Sequence, residues 1–159
     1  MSQNDWQESR PLVIDTNTAL SGLIGGATRK LIVDLERDLR YPEPSFEEIR
    51  RNRGVIQERA GLSATAIDEL IDRLFKNITL VPEADVLLQY RTAAEATSSH
   101  PDADQERQFE GRDEDDVVFL AAAIATGGDI WSDDKVFGHQ DYASWFRTED
   151  VIQHGGVEL

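Results

Sequence analysis

Short apolar runs, each followed by a longer helix-compatible stretch, constrain this chain most. Residues 11–15 (PLVID) form an apolar run too short for a helix, the pattern of a strand buried on both faces. Residues 16–24 then predict a helix stopped by Gly25-Gly26, and residues 28–38 a second helix capped by Thr28. A strand at Leu39–Tyr41 is punctuated by Pro42 and Pro44. Ser45-Phe46-Glu47-Glu48 has the capping-box form and opens a charged helix running to about Arg59. Gly61 ends it, and Ser63 caps a helix over 64–76 with Ile67, Leu70, Ile71 and Leu74 on one face. A strand over 78–81 and a helix over 83–97 follow. Residues 98–112 are polar and read as a surface connection. Residues 115–126 start acidic and become apolar nearly all round, as a buried helix does. Strands at 129–132 and 144–147 and a Thr148-capped helical turn complete the pattern. Regular alternation of this kind predicts an α/β fold: a mostly parallel sheet covered by helices on both faces. It also predicts one domain over 11–159, preceded by a polar tail over 1–10.

Composition narrows the function classes. The 159 residues contain 16 Lys and Arg against 31 Asp and Glu, a formal charge of −15. Cysteine is absent, which excludes disulfides, thiol nucleophiles and Cys-based metal sites. No apolar run reaches the roughly 20 residues that span a bilayer, and the polar start is unlike a signal peptide. The expectation is a cytoplasmic protein with no membrane partner. Only three lysines stand beside 13 arginines. An acid-rich, Lys-poor surface suits solvation in strong salt, where a Debye length of roughly 3 Å at 1 M makes self-repulsion tolerable. At low salt the same charge argues against a general nucleic-acid clamp.

Four acids occupy telling places. Asp15 ends the first strand, and Asp134 follows the strand DIWS. Glu48 and Asp116 fall in the first turns of predicted helices, Glu47 and Asp115 being the neighbouring alternatives. In a parallel α/β sheet, strand C-termini and the N-termini of the following helices share the edge where ligands bind. Carboxylates gathered there repel one another unless a proton or cation intervenes. Mg²⁺ commonly takes one or two carboxylates and keeps several waters. Such a site suits phosphodiester hydrolysis. Each acid also has a purely structural explanation, as helix cap, dipole partner or turn residue.

The segments VIDTNTALSGLI, PSFEEI and DEDDVVFLAAAIATGGDIWSDDKVF resemble the PIN domain family from about Pro11 to about Ile152. The resemblance is greatest to a prokaryotic, archaeal-type branch related to VapC-type toxins. It implies a three-layer α/β/α sandwich and an endoribonuclease dependent on Mg²⁺ or Mn²⁺. It carries the family's four acids onto Asp15, Glu48, Asp116 and Asp134 as catalytic and metal-binding residues. Thr16, Asn17, Ser132 and Asp133 would then orient the ligands. The chain departs from the family pattern in having Asp133 for the usual Asn, and Val136 for an acid. RNA is the implied substrate, with an antitoxin protein and a homodimer as further implied partners. A non-catalytic RNA- or protein-binding module is the rival reading. A phosphoaspartyl phosphatase is disfavoured, because Asn17 stands where its second Asp belongs.

Overall fold

The computed structural model describes residues 5–98 and 112–159. The predicted surface connection over 98–112 falls almost wholly outside them. Five strands form one sheet: β1 (Leu12–Ile14), β2 (Leu39–Pro42), β3 (Ile78–Val81), β4 (Asp129–Trp131) and β5 (Trp145–Phe146). Every pairing is parallel, in the order β3-β2-β1-β4-β5. The predicted mostly parallel sheet is thus wholly parallel among the described residues. β1 sits at its centre, with Leu12, Val13 and Ile14 inaccessible to solvent. Ile14 pairs with Trp131, and Trp131 with Phe146. This buries the large rings of Trp131, Phe137 and Phe146 in one core.

The helices are α1 (Thr16–Ile24), α2 (Ala27–Asp34), α3 (Glu43–Arg51), α4 (Arg53–Ala60), α5 (Ala64–Phe75), α6 (Glu83–Ser98), α7 (Arg112–Thr126) and α8 (Thr148–Gly155). They cover the sheet to give an α/β/α sandwich. Helix α7 is the buried helix expected from its apolar run: Val117, Phe119, Leu120, Ala121, Ala122 and Ala123 all lie in the core. It packs on β1, β2 and β4 and pairs extensively with α6. No helix among the described residues is long and apolar enough to cross a membrane.

Several boundaries differ from the sequence reading. Helix α2 starts after Gly26, a positive-φ residue, so Thr28 lies inside the first turn instead of capping it. It stops at Asp34 because Leu35 turns extended to enter the core. Helix α3 starts at Glu43, because Pro44 is well placed in a first turn where its missing N–H costs nothing. Ser45 is consequently buried inside the helix, and the expected capping box does not form. Glu43 instead accepts the Glu83 backbone N–H at 3.2 Å, at the start of α6. The long charged helix is two helices, broken at Asn52. Ser63 caps α5 as expected, accepting from the Ala66 N–H at 3.2 Å.

Gly127 and Gly128 do different work between α7 and β4. Gly127 takes φ +66°, the left-handed turn that ends the helix. A Cβ on Gly128 would stand 2.6 Å from the Pro11 carbonyl oxygen, a backbone atom fixed by the adjoining strand. That oxygen also accepts the Asp129 N–H at 2.8 Å, so it cannot yield without loosening the β1–β4 ladder. Gly128→Ala is therefore expected to destabilise the protein by about 1–3 kcal/mol. Thermal unfolding followed by circular dichroism checks this; an unchanged midpoint would show that the strand entry can relax.

Candidate functional site

The strand order reverses at β1. The chain steps outward from β1 to β2 and β3, then returns to place β4 on the other side of β1. Helices following the two halves diverge at such a switch point, leaving a crevice at the C-terminal ends of the two central strands. Asp15 follows β1 and lines that crevice, while Ser132 follows β4 and lies wholly buried directly behind it.

Local chemistry fixes the Asp15 carboxylate from two sides. Asp15 leaves the strand extended (φ −88°, ψ 174°) and caps α1, its Oδ1 accepting the Thr18 N–H at 2.8 Å. The Ser132 hydroxyl donates to Oδ2 at 2.5 Å. The Ser132 oxygen in turn accepts the Asp134 N–H at 3.0 Å. Asp134 Oδ1 accepts the Val136 N–H at 3.0 Å, capping a short 3-10 helix over Lys135–His139. Asp15 is only 7% exposed, and burial pushes its carboxyl above the ordinary value. The bonds from Ser132 and Thr18 pull the other way, while the charge on Asp134 adds to the rise. Above these groups opens a cleft of about 360 Å³, lined by Asp15, Asn17, Thr18, Ser21, Thr28, Asp133, Asp134 and Thr148.

The structure thus brings Asp15, Asn17, Ser132, Asp133 and Asp134 to one place. Thr16 faces elsewhere: its hydroxyl lies 2.8 Å from the Tyr41 hydroxyl, tying the start of α1 to β2. Asp133 lines the cleft but is committed to α8, Oδ1 accepting the Thr148 N–H at 2.8 Å and Oδ2 its hydroxyl at 2.9 Å. Both carboxylate oxygens are used, whereas an Asn there would offer one. Thr148, expected as a cap, is the first residue of α8, which Arg147 precedes. Val136 is buried in the core.

Glu48 lies half-buried on α3, and Asp116 is buried on α7. Helix α7 begins at Arg112, which places Asp116 one turn further in than expected. Neither residue lines this cleft. Among the described residues no group of three or more His, Asp or Glu side chains is close enough to hold one ion. The donor set at the cleft is nevertheless hard oxygen throughout: three carboxylates, of which Asp133 is taken up by Thr148, with hydroxyls and an amide around them. That composition fits Mg²⁺ or Mn²⁺, which favour oxygen donors and need few protein ligands.

Three participants were not foreseen as such. Thr148 joins Asp133 to the core, accepting the Trp131 indole N–H at 3.0 Å. The Trp145 indole N–H holds the Ser132 carbonyl at 2.8 Å and so fixes the residue that bonds Asp15. Ser21 lies four residues beyond Asn17 on α1 and shares its wall of the cleft. The rule that located Asp15 and Asp134 also reaches Thr148, which sits just past the C-terminal end of β5.

No curated protein matches the chain at a significant level. A family model described as PIN domain matches residues 13–154, from the β1 strand to α8. That span holds the whole sheet edge just described, including Asp15, Ser132 and Asp134. PIN domains are generally nucleases and typically use divalent metals, in keeping with a carboxylate-lined cleft at the switch point of a parallel sheet. The chain belongs to the PIN domain family.

Proposed function

We propose that this protein is an endoribonuclease that hydrolyses RNA phosphodiester bonds in the cleft between β1 and β4, using Mg²⁺ or Mn²⁺. One observation carries the reading. A buried carboxylate, Asp15, faces an open cleft that Asp133 and Asp134 also line, and no Lys or Arg lines that cleft among the described residues. With Asp133 bonded to Thr148, Asp15 and Asp134 without a cationic side chain make a poor structural pair and a good cation site. Asp15 and Asp134 would hold the ion. When bound, the ion supplies charge neutralisation at the phosphate and activation of water.

The chain's own residues do the positioning. Ser132 and the Thr18 N–H fix the two Asp15 oxygens, leaving each a further lone pair for a ligand. Asp134 is held by Val136. Resemblance gives Asp116 a metal-binding role, directly or through water, and has Glu48 bind metal or orient the attacking water, although neither lines this cleft. Resemblance further suggests the toxin of a toxin–antitoxin pair and a homodimer. Growth arrest on expression, relieved by a co-encoded small protein, would support the first; sedimentation tests the second.

The direct test is cleavage of a single-stranded RNA with Mg²⁺, with Mn²⁺ and with EDTA. Cleavage only with a divalent ion is expected. RNA left intact under all three conditions would favour a non-catalytic binding module instead. Ser132→Ala should lower the rate by about 10–100-fold by freeing Asp15 Oδ2, as loss of a ligand-orienting partner does. Single-turnover rates at saturating ion check this, and an unchanged rate would remove Ser132 from the site.

A further inference from the structure

We propose that the cleft holds single-stranded RNA through uncharged donors instead of cations, with Asn17, Ser21 and Thr28 as the positioning wall. This rests on the hydrolase reading above and goes beyond it by specifying how the substrate is gripped. Asn17 and Ser21 stand four residues apart on α1, hence on one face, and Thr28 joins them from the first turn of α2. Among the described residues none of these three side chains has a hydrogen-bond partner. They are polar groups lining a cleft with nothing of the protein to bind.

Two nearby arginines are turned to other tasks. Arg29, next to Thr28, donates to the Gly22 carbonyl at 2.9 Å and to the Leu23 carbonyl at 2.7 Å, closing the end of α1. Arg147, next to Thr148, lies over the Trp145 ring at 5.0 Å. Hydroxyl and amide groups both donate and accept, so they can pair with phosphate oxygens and with the ribose 2′-hydroxyl.

The consequence is an inverted salt dependence. Cationic side chains gain affinity by releasing counterions, with a slope of about 0.7 per phosphate for single strands. Uncharged donors release none. Meanwhile the −15 net charge repels RNA at low salt, and added salt screens that repulsion. KM for a short single-stranded RNA should therefore stay level or fall as KCl rises from about 0.1 to 1 M. The measurement uses fixed saturating Mg²⁺, with the fold checked by circular dichroism at each salt concentration.

Ser21→Ala combined with Thr28→Val should raise KM by about tenfold while leaving kcat within about twofold, as loss of two uncharged hydrogen bonds predicts. Ser21→Arg should lower KM at low salt and make it rise with KCl, an effect that a merely structural Ser21 would not give. Two results overturn the proposal while leaving the hydrolase reading intact. One is wild-type KM climbing steeply with salt, by roughly 600-fold over the decade for four neutralised phosphates. The other is an unchanged KM in the double variant. RNA left uncleaved with every divalent ion overturns the hydrolase reading, and this inference with it.

Discussion

Asp15→Asn should abolish divalent-dependent RNA cleavage, by about 100-fold or more, while the protein stays folded. The substitution is nearly isosteric. Its amide oxygen can still accept the Thr18 N–H that Asp15 Oδ1 now accepts at 2.8 Å. Its NH₂ can donate to Ser132 in place of the bond Ser132 now donates. What disappears is the negative charge beside Asp134. The stability consequence has a definite sign. Burial raises the folded-state carboxyl above its ordinary value of 3.8. Between those two values the folded state binds more protons than the unfolded chain, so stability falls as pH rises through the window. At neutral pH the full cost of the buried charge is present. Asp15→Asn in EDTA should therefore melt above the wild type at pH 7, with the gap closing below about pH 3.8. Mg²⁺ should raise the wild-type midpoint, worth about 2.7 kcal/mol at a hundred times its dissociation constant, and leave the variant unmoved. Differential scanning calorimetry with and without Mg²⁺ reads all three. A variant that cleaves RNA at the wild-type rate would refute the site.

The sheet was legible because its strands are short, apolar and bounded by turn residues. Period and length alone distinguish PLVID from the amphipathic stretch after it. Asp15 and Asp134 were legible for a topological reason. A residue just past a buried parallel strand has little choice but to face the carboxyl edge. Helix starts were less so: the S-x-x-E pattern at Ser45 competes with Pro44, and the proline prevailed by setting the first turn. What the local pattern could not give were partnerships between distant residues. Resemblance alone put Ser132 among the ligand-orienting groups; nothing near it in the chain announces that it meets Asp15, 117 positions away. Likewise Asp133 looks like a turn residue until α8 is seen resting its first N–H on it. Such pairings depend on strand order, which a local pattern does not encode.

The largest stability effect is expected at the opposite edge of the sheet, in Asp129→Ala. Asp129 opens β4 and is 1% exposed. Its two carboxylate oxygens face two arginines, Oδ2 from Arg37 Nη2 at 2.9 Å and Oδ1 from Arg10 Nη2 at 3.0 Å. The Arg37 side chain is wholly buried, at 0% exposure. Its Nε donates to the Arg10 carbonyl at 2.9 Å, and its guanidinium lies 4.4 Å above the Trp6 ring. Trp6 in turn stacks on His154 and meets Phe146 edge-on. One carboxylate therefore anchors the N-terminal segment, β1, β4 and α8. Burial already pushes the Arg37 guanidinium down, and Asp129 is what opposes that shift. Removing it leaves a buried cation uncompensated beside a second one, which costs about 3–5 kcal/mol. For a domain of this size that is a fall of about 10 °C in the unfolding midpoint. Replacing both partners, as Asp129→Leu with Arg37→Met, should recover much of the loss, since apolar groups of similar volume need no counter-charge. Because the network sits at the N-terminal ends of β1 and β4, away from the cleft, Asp129→Ala that remains folded at low temperature should cleave RNA at the wild-type rate. Urea unfolding of the two variants decides the matter: equal destabilisation in both would mean that Asp129 acts through packing and not through its charge.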